Sequence, residues 1–219
     1  MLAVQGLGIG GDIGILRKQL RYNLPMSGPS LRQQKNERND AVYEIEIKIL
    51  GIDRENVEKR LLSLGAKKTF DDKIHAVYYD DRRRSIRAKR GTLRLRKEGR
   101  RSVFTFKAHV ENGEAKVREE QEVSVSDFAA MQSILGSLGF IPWIEMKKHR
   151  TTYEIAGVHF EFDKYLGEYG YIPEFLEIEA DDIGAVLKYA GLLGFTKDDC
   201  KPWDAIEVAR YYSRGGENP

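Results

Sequence analysis

Hydrophobic and charged residues alternate one by one along much of this chain. In Glu44-Ile45-Glu46-Ile47-Lys48 the acids and the lysine take even positions and the isoleucines odd ones. Residues two apart on a β-strand share a face. Glu44, Glu46 and Lys48 are therefore expected on one side, with Tyr43, Ile45, Ile47 and Ile49 on the other. The pattern recurs in Leu93-Arg94-Leu95-Arg96, Phe104-Thr105-Phe106-Lys107, Arg118-Glu119-Glu120-Gln121-Glu122, Phe160-Glu161-Phe162-Asp163 and Leu176-Glu177-Ile178-Glu179. A single segment of this kind is an ordinary solvated strand face. Its repetition is explained economically by a closed or tunnel-like sheet. Helices would cover the apolar outside, and the polar inside would hold a multiply charged ligand.

Between these strands the period changes. From Asp53, a good N-cap, apolar residues at Val57, Leu61, Leu62 and Leu64 follow helical spacing, and Gly65 suits the left-handed residue after a helix. A second helix is expected from near Ser126 through Phe128, Met131, Ile134, Leu135 and Leu138 to Gly139. A third runs from about Ile183 to Leu193 and ends at Gly194. Lys201 to Arg210 reads as a final helix with Pro202 in its first turn. The order of strand, helix and several strands occurs twice, and the similar helix exits at 64–66, 138–140 and 193–195 suggest a duplicated half. Asn112-Gly113 is a hairpin signal that brings Lys107 towards Arg118 and Glu120. The expected class is α+β: a closed, mostly antiparallel β-barrel with helices packed outside, in a domain spanning 41–213.

Residues 1–40 differ from the rest. Gly6-Leu7-Gly8-Ile9-Gly10-Gly11 matches a dinucleotide-binding spacing, but five residues leave little room for the strand that motif requires. Ile13 to Tyr22 has the pattern of a short amphipathic helix, and Pro25 to Asp40 that of a flexible linker. The arm reads as a flexible extension, with a lid or dimer contact as the alternative.

Composition narrows the function. The chain has 219 residues, enough for one sizeable core, and a formal charge of +2 despite 32% charged residues. That balance does not suggest a general nucleic-acid binder. Cys200 is the one cysteine, so no internal disulfide is expected and a reducing cytoplasm fits. No run of roughly 18 apolar residues predicts a membrane span, and no leader pattern opens the chain. The basic run Arg82 to Arg90 reads either as a capture loop at a tunnel mouth or as a solvated loop.

The ExExK opening at 44–48, LRLRK at 93–97, the lysine of FTFKAH at 104–109, REEQE at 118–122, KKHRTTY at 147–153, FEFDKYLG at 160–167 and FLEIE at 175–179 together resemble the CYTH superfamily, in that family's order. The resemblance covers about Tyr43 to Tyr212. It implies a triphosphate tunnel of the kind found in class IV adenylyl cyclases and in thiamine and inorganic triphosphatases, working with Mg²⁺ or Mn²⁺. It also admits a homodimer. Binding such an anion needs several fixed cations. The candidates are Lys48, Arg94, Arg96, Lys107, Arg118, Lys148 and Arg150, arginine offering a planar fork and lysine a point charge. Lys48 and Arg150 are carried as catalytic. Paired acids suit a hard divalent cation. The metal set is Glu44, Glu46, Glu177 and Glu179, with Glu120, Glu122 and Asp163 as close competitors.

Two reactions fit the same residues. In one, the ribose 3′-hydroxyl of ATP attacks the α-phosphorus and pyrophosphate leaves. In the other, water attacks the terminal phosphorus of inorganic or thiamine triphosphate. The similarity of Leu166 to Glu179 to the cyclase branch favours the first, although the loop from Gly167 to Pro173 is longer than the turn expected there. A non-catalytic nucleotide or polyphosphate binder would be expected to have lost the ExE acids, which are intact. His75, His109, His149 and His159 lack metal-ligand spacing, and alternation sends His149 outward. Tyr153 and Tyr165 read as core residues, with contact to a base as the alternative; Trp143 and Trp203 read as packing residues, and nothing makes Cys200 a nucleophile.

Overall fold

The computed structural model describes residues 42–110 and 117–216. The glycine-rich segment, the amphipathic stretch at 13–22, the 25–40 linker and the Asn112-Gly113 turn lie outside the described residues.

Eight strands lie among them: β1 (Val42–Ile49), β2 (Lys67–Asp80), β3 (Thr92–Glu98), β4 (Arg101–Val110), β5 (Val117–Val125), β6 (Ile141–Ile155), β7 (Val158–Leu166) and β8 (Phe175–Ala180). They form one curled antiparallel sheet in the order β5-β4-β3-β2-β6-β7-β8-β1. Its two edges meet on β1. Val42–Glu44 pair with β5, and Ile45–Ile49 pair with β8. Beyond Glu44 the free edge of β1 takes a different partner. The Lys48 and Lys201 backbones exchange two hydrogen bonds of 2.8 Å, so a C-terminal segment supplies the contact that β5 does not.

The helices are α1 (Arg54–Ser63), α2 (Ser85–Ala88), α3 (Phe128–Ser137), α4 (Ile183–Leu192) and α5 (Ala205–Ser213). The apolar strand faces turn outward, as the alternation predicts; helices cover those of β1, β2, β3, β7 and β8, whereas Phe106 of β4 and Val123 of β5 are exposed. Val57 and Leu61 of α1 and Val186 and Ala190 of α4 pack on Ile47, Phe160, Phe162 and Ile178. Phe160 meets Tyr189 edge-on at 5.5 Å. Leu135 of α3 packs on Val77, Tyr79, Leu93 and Leu95. Tyr153 and Tyr165 are both buried, as their reading as core residues expects.

α5 does something else. Its Val208 and Ala209 pack with Leu50, Ala76, Tyr78, Met146, Tyr165 and Phe175. By alternation these residues share strand faces with Lys48, Lys148, Asp163 and Glu177. One end of the polar interior is therefore apolar and covered by a helix.

Three boundaries differ from the sequence reading. The last helix is Ala205–Ser213, not Lys201–Arg210. Lys201 is committed to its bridge with Lys48, and the helix starts where Asp204 accepts hydrogen bonds from the Ile206 and Glu207 amides while the Glu207 carboxylate accepts from the Asp204 amide. This reciprocal cap sets the start and leaves Pro202 outside. The second helix is capped by Asp127 rather than Ser126, through the Ala130 amide at 2.9 Å. The basic run contains the single turn α2, because the buried Asp80 carboxylate accepts from the Ile86 and Arg87 amides and from Arg87 Nε.

Phe160 is 0% exposed. Phe160→Ala is expected to lower unfolding free energy by about 3–5 kcal/mol, read by chemical denaturation. A loss below about 1 kcal/mol would contradict the assignment of this cluster as the main core.

Candidate active site

The inward strand faces line a cavity of about 900 Å³, to which all eight strands contribute. The charged side chains in it neutralise one another in three groups. In the first, Lys48 Nζ lies 3.2 Å from Glu46 and 3.1 Å from Glu177. Burial opposes the charge on Lys48, but Glu177 and Glu46 outweigh it and hold the ammonium above its usual range.

The second group is centred on Arg150. Its Nε and Nη2 grip Asp163 at 2.7 and 2.6 Å. Nη1 meets Glu161, and Nη2 is 3.4 Å from Glu177. Asp163 also accepts from Lys148 at 2.5 Å. Burial pushes the Asp163 and Glu177 carboxyls up, but the cations around them prevail and both stay low. Lys148 is the reverse: burial and the neighbouring Arg150 outweigh its acids and lower its ammonium. Burial lifts the Glu161 carboxyl to about 7; Arg150 opposes this, and Glu177 and Asp163 reinforce it.

The third group lies on β3, β4 and β5. Arg96 is 2.6 Å from Glu98 and 3.7 Å from Glu122, Arg101 is 3.1 Å from Glu122, and Lys107 is 3.0 Å from Glu120. Burial and the adjacent Arg94 lower the Arg96 guanidinium. Arg94 lines the same cavity.

Of the metal candidates, the structure brings Glu46, Glu177 and Glu179 together, with one carboxylate oxygen of each within 4.8 Å of the others. Three oxygen donors at that spacing fit Mg²⁺ or Mn²⁺, which take oxygen ligands and accept phosphate oxygens and water in the remaining positions. Glu120 and Glu122 stand apart from this cluster, against bases of β3 and β4. Asp163 has both oxygens engaged. Glu44 and Arg118 are register partners on β1 and β5; their side chains lie outside the described part. His149 points outward to Asp71 at 3.3 Å.

Several lining residues lie outside the expected site. Glu161 sits on the inward face that the FEFD alternation marks. His159, two residues earlier on the same face, lines the cavity although it lacks metal-ligand spacing. Glu98, Thr152 and Phe70 also line the cavity, and no simple alternation marks Phe70.

Comparison with known proteins follows the same lines. A CYTH domain model matches residues 42–190. A protein of Methanocaldococcus jannaschii, provisionally named an adenylate cyclase, is 31% identical over 141 residues, 63% of this chain and 77% of its own length. A solved structure from Pyrococcus horikoshii superposes with a TM-score of 0.63 at 25% identity, covering 75% of this chain and 98% of its own. A Hippeastrum protein, a provisional adenylyl cyclase described as having a dominant triphosphatase activity, has a TM-score of 0.56 at 18% identity, covering 81% of this chain and 97% of its own. Among the described residues no helix is long and apolar enough to cross a membrane.

The Glu161 carboxyl sets a pH dependence. Between the ordinary value of 4.5 and about 7, folded chains keep a proton there that unfolded chains have lost. Its contribution to stability therefore falls as pH rises through that window. Asp163 and Glu177 act oppositely: theirs is complete above the ordinary carboxylate range and is lost as pH falls through their lowered values. Glu161→Gln is expected to flatten the decline in denaturation midpoint between pH 4.5 and 7; an unaltered slope would contradict this.

Proposed function

This chain belongs to the CYTH domain family, and on that footing we propose that residues 41–213 form a divalent-metal-dependent enzyme acting on a triphosphate, with the curled sheet working as a closed tunnel. The leading reaction is conversion of ATP to cyclic AMP and pyrophosphate. The observation that carries this reading is the placing of Lys48 between Glu46 and Glu177 at 3.2 and 3.1 Å, in a cavity also lined by Arg94, Arg96 and Lys107. A base held this way can be handed from carboxylates to phosphate when a cation arrives on the acids.

In this reading Arg94, Arg96, Lys107 and Lys148 bind phosphate oxygens, with Arg118 as a further candidate. Lys48 stabilises charge that builds on the reacting phosphoryl group. Arg150, whose donors face Asp163, Glu161 and Glu177, holds those carboxylates in position. Mg²⁺ or Mn²⁺ on Glu46, Glu177 and Glu179 would neutralise phosphate charge and orient the chain. Catalysis is then mostly positioning and electrostatics, as in phosphoryl transfer generally. The 3′-oxygen bonds to the α-phosphorus, the bond from that phosphorus to the bridging oxygen breaks, pyrophosphate leaves with the electron pair, and the hydroxyl proton passes to water.

The second reading is hydrolysis of the terminal phosphate of inorganic or thiamine triphosphate. It is supported by the description of the Hippeastrum protein, whose shared fold is compatible with that reaction. The single cysteine supports a cytoplasmic location.

Incubation with ATP, inorganic triphosphate and thiamine triphosphate, each with Mg²⁺ or Mn²⁺, separates the readings. Cyclic AMP with pyrophosphate is the expected product pair. Orthophosphate without a cyclic product would favour the second reading, and no turnover of any would refute both. Glu46→Gln is expected to cut turnover by on the order of 100-fold while the thermal midpoint stays close to the parent's. Unchanged turnover would remove Glu46 from the site.

A further inference from the structure

The basic run at 82–90 has no part in the cavity, since none of its residues lines it. β2 runs from the bulge at Thr69 to Asp80, about 36 Å along the strand at roughly 3.3 Å per residue. At its start Thr69, Gly157 and Asp181 line the cavity and are exposed, so the cavity opens there. The run follows the other end of β2, beyond the Ala76 and Tyr78 that pack with α5. It is therefore not a capture loop at the open rim. It is also firmly built. The buried Asp80 carboxylate accepts from the Ile86 and Arg87 amides and Arg87 Nε. Asp81 accepts from the Ser85 amide and hydroxyl, and the Arg87 guanidinium lies 3.9 Å over the Trp143 ring. Arg84 and Arg90 hold φ of 59° and 56°, a left-handed backbone that residues other than glycine seldom adopt. The turn so held presents Arg82, Arg83, Arg84, Lys89 and Arg90, all exposed. Among the described residues, Arg87 alone of the run has an ion pair.

Aliphatic side chains flank these bases. Asp80 pairs in register with Ile141 of β6, which is 47% exposed. Leu138, the residue that caps the C-terminus of α3, is 68% exposed, and Ile134, one turn back on the same helix, is 51% exposed. Bare aliphatic groups add nothing to contact with a nucleic-acid backbone, and unpaired bases add nothing to an apolar contact. An anionic lipid surface takes both, the bases at its headgroups and the aliphatic groups at the acyl boundary beneath them. We propose that this end of the domain, through the 82–90 turn and the C-terminal end of α3, docks on the surface of a bilayer that carries anionic lipid. Five bases fall within the clusters of about four to eight that such surfaces attract. Because hydrogen bonds already fix the turn, docking has little backbone left to order. The contact is peripheral, as no described helix is long and apolar enough to cross a membrane. The inference goes beyond the triphosphate reading and does not depend on it. The docked domain keeps its open rim, at the far end of β2, turned towards water, so a dissolved ligand still reaches the cavity.

The test is co-sedimentation of the full chain, with no triphosphate present, with vesicles of phosphatidylcholine alone and of phosphatidylcholine mixed with phosphatidylserine. The parent is expected to bind the mixed vesicles, not those of phosphatidylcholine alone, and to be released as salt is raised. Arg83→Gln combined with Lys89→Gln is expected to weaken binding about 25-fold, about fivefold for each base. Leu138→Ser is expected to weaken it roughly tenfold. All three side chains are exposed, so thermal midpoints equal to the parent's are expected and report that the variants are folded. No binding of the parent to the mixed vesicles would overturn the proposal. So would binding that these variants leave unchanged, since the lipid contact would then lie elsewhere on the chain. Tighter binding to duplex DNA than to the mixed vesicles at equal phosphate would overturn the lipid assignment in favour of a nucleic acid.

Discussion

Lys48 and Arg150 are almost wholly withdrawn from water, and each is held by two or more carboxylates. Lys48 bridges Glu46 and Glu177; Arg150 grips Asp163 in a two-pronged contact and also reaches Glu161 and Glu177. Isolated charges in such surroundings would cost several kcal/mol each. They are tolerated because every one has an opposite charge at contact distance. Glu177 is common to both clusters and links β1, β6 and β8 through side chains as well as through the backbone. The polar interior thus holds its own shape before any ligand arrives.

That arrangement also constrains what can bind. A lone polyanion would have to take bases from their acids and leave the acids buried without partners. A lone divalent cation would have to displace Lys48. Arriving together, anion and cation satisfy both halves of every broken pair. On the proposed reading, this pairing favours a ligand that is a metal–phosphate unit. The neighbouring architecture serves this interior. Lys201 takes the edge of β1 that β5 leaves at the level of Lys48, and α5 covers the apolar end of the cavity beyond Glu177 and Asp163. The C-terminal segment is thus part of the wall, and its helix begins only after that strand-like contact is made.

Much of this could be read in the residues. Strict alternation gave β1, β3, β4, β5, β7 and β8, and the side of each that faces inward. β2 and β6 were harder. They are long and pair with each other over most of their length, and the bulge at Thr69 breaks the period. Pro202 misled the placing of the last helix, because proline suits a first helical turn as well as the strap that precedes this one. The candidate bases and acids were visible as types, and the expected hairpin brought Lys107 towards Glu120, which it meets at 3.0 Å; the pairing around Lys48 and Arg150 was not visible. Which acid meets which base there depends on strand stagger, which sets Glu46 beside Glu179. Glu161 was masked by its neighbour Asp163, since alternation makes the two equivalent and only the contacts of Arg150 distinguish them.

The account stands on joint entry of cation and anion. Electron paramagnetic resonance titration of Mn²⁺ into the chain, with and without inorganic triphosphate, tests it most directly. The account requires weak Mn²⁺ binding alone and markedly tighter binding when triphosphate is present, beyond what triphosphate in solution binds by itself, with the reciprocal gain in triphosphate affinity that linkage demands. Mn²⁺ affinity that is the same with and without triphosphate would contradict it.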